Sequence, residues 1–198
     1  MIIESGTGNG KKWKINNSNL AEVHGITETE EQHATEGGDA YNINTGYIGS
    51  ITTDATLLYI KNNETQDLVI NAFALGIDSG GTHSNKPYLT LVRNPTGGDL
   101  ISDATAVSMN QNRNFGSSET LTVDAYKGKV SGTLTGGNDI AILQATPDGR
   151  SFYTINLIIP KGSSIGIKYT ANLSSGTEQI YCAAIVHLKD ASLADVNV

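Results

Sequence analysis

One cysteine, one tryptophan and four prolines occur in 198 residues, and these scarcities exclude several kinds of protein at once. Cys182 has no partner for an internal disulfide, and every cysteine-based zinc ribbon or finger is excluded with it. No apolar run approaches the ~18 residues that a membrane-spanning helix requires, so a membrane is not expected as a partner. Positive charge is scarce as well: 13 Lys and Arg face 20 Asp and Glu, for a net charge of −7. Attachment to a nucleic-acid backbone needs clustered Lys and Arg, so nucleic acid is not expected as a partner either. The opening Met1-Ile2-Ile3-Glu4 lacks a basic stretch followed by an apolar one, which argues against a secretory leader.

Good helix formers are thin in any one window, and no long stretch spaces its apolar residues at a helical period. What the chain has instead is Gly, Ser, Thr and Asn, which make turns and tolerate left-handed backbone, set between short apolar runs. The runs are Thr56 to Lys61, Leu68 to Leu75, Tyr88 to Arg93, Leu121 to Tyr126, Ile140 to Gln144, Phe152 to Ile159, Ile165 to Thr170 and Gln179 to Leu188. Strand signals begin near Tyr41, and Ala21 to Ile26 reads as a further short strand. Leu68 to Leu75 is apolar on both faces, which suits a strand held between layers. Asn94-Pro95-Thr96-Gly97-Gly98-Asp99, Pro147-Asp148-Gly149 and Pro160-Lys161-Gly162 supply turns. Nine or ten strands at this spacing, without alternating helices, predict an all-β fold, an antiparallel β-sandwich or barrel. Periodicity does not choose between a jelly roll, an immunoglobulin-like sandwich and a closed barrel, and the strand count and a chain of about 180 residues after the arm favour the jelly roll.

Three regions follow. Residues 1–20 read as a flexible N-terminal arm, mildly basic, in which Lys11, Lys12, Trp13 and Lys14 are the candidate partner-binding residues. Residues 21–190 form the sandwich and 191–198 a C-terminal tail. Glu22, Glu28, Glu30, Glu31, Glu36 and Asp39, with no Lys or Arg between them, read as a solvated loop.

The candidates for chemistry are weak. Asp78-Ser79-Gly80-Gly81 is similar to the nucleophile segment of chymotrypsin-like proteases, and His24 or His33 followed by Asp54 or Asp67 satisfies the order of the triad. Ile77 stands where that family has glycine, however, and the distance from histidine to serine is too short for two barrels. The segment therefore reads as a turn. His24, His33, His83 and His187 show no metal-ligand spacing, and His187 reads as a hydrogen-bonded or partly exposed structural residue. The acidic stretch lacks the oxygen ladder of a calcium loop. Gly6 to Lys12 looks like a phosphate loop without the strand and helix that one needs. The eight tyrosines are scattered, and Cys182 reads as a small buried hydrophobe. No catalytic residue, cofactor or metal is expected, and the chain reads as non-enzymatic.

The segments Leu57 to Asn63 (LLYIKNN), Val92 to Gly98 (VRNPTGG), Asn112 to Leu121 (NRNFGSSETL) and Ile159 to Tyr169 (IPKGSSIGIKY) resemble a virion structural protein of tailed bacteriophages. More narrowly, they resemble the β-sandwich proteins that decorate or cement phage capsids. The resemblance spans about Ala40 to Asp190 and implies a jelly-roll-like fold, a homotrimer, and attachment to the major capsid protein or another virion protein. It also implies a virion location after synthesis in the host cytoplasm. The alternative is a carbohydrate-binding or receptor-binding module of a phage tail fibre, separable from the first by a glycan array.

Overall fold

The structure, a computed structural model, describes residues 2–4, 12–15, 21–22, 29–102, 105–106 and 111–189; before residue 29, and at 102, 105 and 106, it describes the backbone alone. Strands β1 (Ile2–Glu4), β2 (Lys12–Ile15) and β3 (Ala21–Glu22) pair in that order as a small antiparallel sheet. The acidic stretch departs from the expected loop: Glu30–Gly37 is helix α1. Thr29 caps it, accepting a hydrogen bond from the Gln32 amide at 3.1 Å. Glu30 and Glu31 in the first turn oppose the positive end of the helix dipole. Gly38 ends the helix in the left-handed region at φ 89°. The carboxylates that read as a loop signal are thus the ones that favour a helix start.

The sandwich is built from β4 (Ala40–Ile51), β5 (Ala55–Asn62), β6 (Leu68–Ser79) and β7 (Thr82–His83), then β8 (Tyr88–Arg93) and the single turn α2 (Asp99–Ser102). Short strands β9 (Thr105–Ala106) and β10 (Gln111–Asn112) precede β11 (Val123–Lys127), β12 (Asn138–Gln144) and β13 (Arg150–Ile159). The chain then runs through β14 (Ser164–Thr170), β15 (Leu173–Ser175) and β16 (Glu178–Leu188). Every predicted run from Thr56 onward is a strand; Tyr88–Arg93 keeps its bounds, and the others are extended by one to four residues or shifted slightly at their ends.

The eight long strands pair first with last: β4 with β16, β5 with β14, β6 with β13 and β8 with β12. That nested pairing, folded into two sheets, is the jelly roll. One sheet runs β10-β4-β16-β6-β13 and the other β12-β8-β14-β5-β11-β9. Between them lie Tyr41, Ile43, Leu57, Leu58, Ile60, Ile70, Phe73, Leu89, Ile167 and Val186, all buried. Strand β6 shows why an unbroken apolar run was needed. Asn71 is an extra residue relative to β16, so the inward positions pass from Leu68 and Ile70 to Phe73, Leu75 and Ile77. Both faces of β6 are covered, as its sequence predicts.

Asn62 secures the end of β5. Its buried amide donates to the Gln66 and Ile159 carbonyls at 2.9 and 2.8 Å and accepts from the Glu64 amide at 2.8 Å. At the Asn94–Asp99 turn, Gly98 has φ 103°, and a Cβ there would sit 2.4 Å from the Thr133 carbonyl oxygen. Only glycine suits that position. Among the described residues no helix is long and apolar enough to cross a membrane.

The strand order decides which edges are free. Among the described residues β12 closes one sheet and β13 ends the other, and each pairs on one side only. Both edges lie on the same side of the sandwich, joined by the Pro147-Asp148-Gly149 turn.

Candidate functional site

Of the residues singled out for partner binding, Lys11 lies outside the described residues. Lys12, Trp13 and Lys14 lie on β2 with the backbone register Glu4, Ile3 and Ile2 of β1 opposite, and their side chains are outside the described set. The segment Asp78 to Gly81 ends β6 and turns, as its composition predicts. The Ser79 hydroxyl accepts from the Gly81 amide at 3.3 Å, which closes the turn locally. Among the described residues no three His, Cys, Asp or Glu side chains are grouped to hold a metal ion. Cys182 is fully buried, and that burial pushes its thiol pKa up to about 12, so it does not supply a thiolate nucleophile at neutral pH.

One histidine is instead joined to a buried carboxylate. His83, on β7, reaches Glu178 at the start of β16, with Nε2 3.0 Å from Oε2. Glu178 is 1% exposed. The Tyr169 hydroxyl lies beside it, its pKa raised first by burial and then by Glu178. This cluster ties the two-stranded flap β7–β15 to the sandwich.

His187 differs from the hydrogen-bonded or partly exposed residue expected of it. It is 3% exposed because its neighbours Val186 and Leu188 face the core while α1 covers its own side. Its Nε2 stands 3.9 Å from the Glu30 carboxylate, and neither ring nitrogen is within hydrogen-bond reach of a described protein partner. Burial lowers its pKa; Glu30 and Glu31 oppose that shift and Arg113 adds to it. A folded-state pKa below the unfolded value of about 6.5 means that the unfolded chain binds the proton more readily. The resulting stability is full above about pH 6.5 and is lost as the pH falls through the lowered value. Urea midpoints measured from pH 7.5 to 5 are expected to fall in the wild type and to fall less steeply in His187→Leu. Parallel curves would show that this ring does not titrate with unfolding.

The most distinctive surface is apolar. Among the described residues six large apolar side chains are exposed, and four of them, Ile140, Ile142, Phe152 and Ile158, stand on β12 and β13. Ile142 is 69% and Phe152 63% exposed. On the inner side of the same strands Ala141, Leu143, Tyr153, Ile155 and Leu157 pack against the core but are only partly buried. No charged residue occurs from Ile140 to Gln144 or from Ser151 to Ile159. At one end the Tyr153 hydroxyl donates to the Gln144 carbonyl at 2.6 Å and joins the two strands. At the other end the strands part around a cleft of about 490 Å³, walled by Ile140, Leu157, Ile158, Ile159 and Pro160, with Arg93 at its rim. An uncharged, exposed edge of this length is what soluble proteins ordinarily avoid.

A second surface escaped the sequence because its aromatics lie far apart in the chain. Tyr47 and Tyr181 are cross-strand partners on β4 and β16, with ring centroids 5.4 Å apart at 75°. The Tyr181 ring covers Gly76 so closely that a Cβ there would lie 2.1 Å from it. Asp78, Asp148 and Arg150 complete a shallow pocket of about 260 Å³.

No protein-family model and no curated protein sequence matches the chain. Among solved structures it is similar, weakly, to one described as "Structure of infectious bursal disease virus Gt strain". The identity is 11%, the TM-score is 0.18, and the match covers 80% of this chain but only 42% of that one, less than half its length. A likeness at that level carries no argument about fold or function.

Proposed function

We propose that this chain is a non-enzymatic structural protein that works by fitting its surface to other protein surfaces, and that it decorates or cements the capsid of a tailed bacteriophage. The observation that carries the reading is the apolar edge of β12 and β13. Four large apolar side chains stand exposed there on stretches without a charged residue, Ile140 to Gln144 and Ser151 to Ile159, and covering them removes apolar area from water at roughly 25 cal/mol per Å². Repetition of one contact among many copies suits a particle. The partners are other copies of the chain, in a closed oligomer for which the sequence resemblance implies a homotrimer, and the major capsid protein or another virion protein. Lys11, Lys12, Trp13 and Lys14 are proposed as a further grip on the capsid. The test is to locate the protein in an electron-microscopy map of intact particles and to count its copies. Regular, stoichiometric occupancy of the capsid surface is expected, reduced when residues 1–18 are deleted. Absence from purified particles would refute the reading.

A second reading is favoured by one observation, the corner formed by Tyr47 and Tyr181. An exposed ring beside Asp78, Asp148 and Arg150 offers a stacking face together with hydrogen-bonding groups, the combination that holds a sugar ring. A carbohydrate-binding or receptor-binding module of a tail fibre would use it, and binding on a glycan array that is lost in Tyr47→Ala distinguishes that case.

A further inference from the structure

We infer that the β12–β13 edge is completed by a second copy of this chain, packed about a two-fold axis that passes near Ile155. The inference rests on the structural reading above and names its self-contact, a two-fold one in place of the trimer that the sequence resemblance implies.

Three features select this occupant. The first is shape. Phe152 projects near the end where Tyr153 and Gln144 join the strands, while the cleft lined by Ile140, Leu157 and Ile158 opens at the other end. Strand β13 spans ten residues, roughly 33 Å at about 3.3 Å per residue. Rotation about an axis near its middle lays Phe152 of each copy against Ile158 and the cleft of the other. One patch thus supplies both the knob and the hole, as an isologous contact requires.

The second is charge. The end near Phe152 carries Asp78 and Asp148 against one guanidinium, Arg150. The cleft end carries Arg93, Lys161 and Lys189 against Glu30, while Asp139 there is already paired with Lys168 at 3.3 Å and Glu31 with Arg113. The same rotation sets the acidic end of one copy against the basic end of the other, and Asp148 falls beside the second copy's Lys161. A parallel arrangement would set like ends together.

The third concerns the backbone. Both edge strands are bulged, β12 at Ile140 and β13 at Ile155 and Asn156, where Asn156 has φ 46°. Bulges spoil an edge as a template for a continuous ladder. The contact is therefore made by side chains, with Phe152 as its anchor, and does not merge the sheets. Because both apolar strands lie on one side of the sandwich, the patch fits a two-fold partner and not the head-to-tail contact from which a three-fold ring is made.

The experiment is light scattering of the full chain across a concentration series, with four variants. The wild type is expected to be a dimer, or an assembly of dimers, at tens of micromolar. Phe152→Glu should weaken the association about 30-fold or more, the loss expected for a central aromatic anchor. Lys161→Asp should weaken it, and Lys161→Asp combined with Asp148→Lys should restore it. Phe115→Glu replaces a side chain that is 99% exposed in the loop beyond β10, at the opposite edge of the sheet, and should leave the mass unchanged. Unaltered circular dichroism in each variant excludes misfolding. A wild-type monomer at every concentration, a trimer, or an oligomer indifferent to Phe152→Glu would overturn the inference. None of these outcomes bears on whether the protein occupies the particle, which the map decides separately.

Discussion

The Phe73→Ala variant is expected to lose about 3–5 kcal/mol of stability, the cost of deleting a fully buried ring and leaving a cavity behind. Phe73 stands on β6 between Tyr153 of β13 and Ala184 of β16, and none of its surface is exposed. It lies after the extra residue Asn71, so a relaxed backbone would have to move the bulge to fill the space. At about 2–4 °C per kcal/mol for a domain of this size, the melting temperature should fall by roughly 6–20 °C. Phe152→Ala removes the same ring from a neighbouring strand, yet a surface change of this kind is ordinarily within about 0.5 kcal/mol. Differential scanning calorimetry of the two variants at low protein concentration separates core from edge. Equal losses would mean that Phe152 is also part of the core and that the edge has been misplaced.

His83→Ala is expected to cost about 3–5 kcal/mol, although the residue belongs to a strand of only two residues. The reason is what it leaves behind. Glu178 is buried with its Oε2 on His83 and its Oε1 without a hydrogen-bond partner among the described residues. Removing the imidazole strands a carboxylate in a site closed by Tyr169. Replacing both partners with leucine should cost less than either single replacement, because no buried charge then remains. A double-mutant cycle read from urea unfolding measures the coupling. A cost below about 0.5 kcal/mol for His83→Ala would show that water reaches Glu178 and that the flap β7–β15 is not fastened there.

The fold was legible where burial and local chemistry agree. Tyr88 to Arg93 is apolar, is bounded by Pro87 and by the Asn94–Asp99 turn, and forms a strand with those very ends. The nested pairing followed less directly, since the same alternation is compatible with several strand orders. Helix α1 is harder to see, because carboxylates mark a solvated loop as readily as a helix start. Thr29 followed three residues later by Gln32, with Gly37-Gly38 at the far end, is a start and a stop for a helix, and that signal was present. The burial of His187 is not legible along the chain, because alternation gives its direction but not the helix that covers it.

The candidate surfaces were much less legible. Phe152 to Ile159 reads the same whether the strand is central or at an edge, because only the order of strands in the sheet leaves one side of β13 unpaired. Tyr47 and Tyr181 are neighbours only because the first and last long strands of the sandwich pair. Neither relation exists along the chain, and both come from long-range topology.

The central claim is that the β12–β13 edge is covered by protein when the chain is at work. Hydrogen–deuterium exchange of the free, dilute protein, set beside the same protein on particles, tests it most directly. The account predicts slower exchange in the assembled state across residues 140–144 and 151–159, with the strand β10 edge of the opposite side changed little. Equal exchange at β12 and β13 in the two states would contradict it.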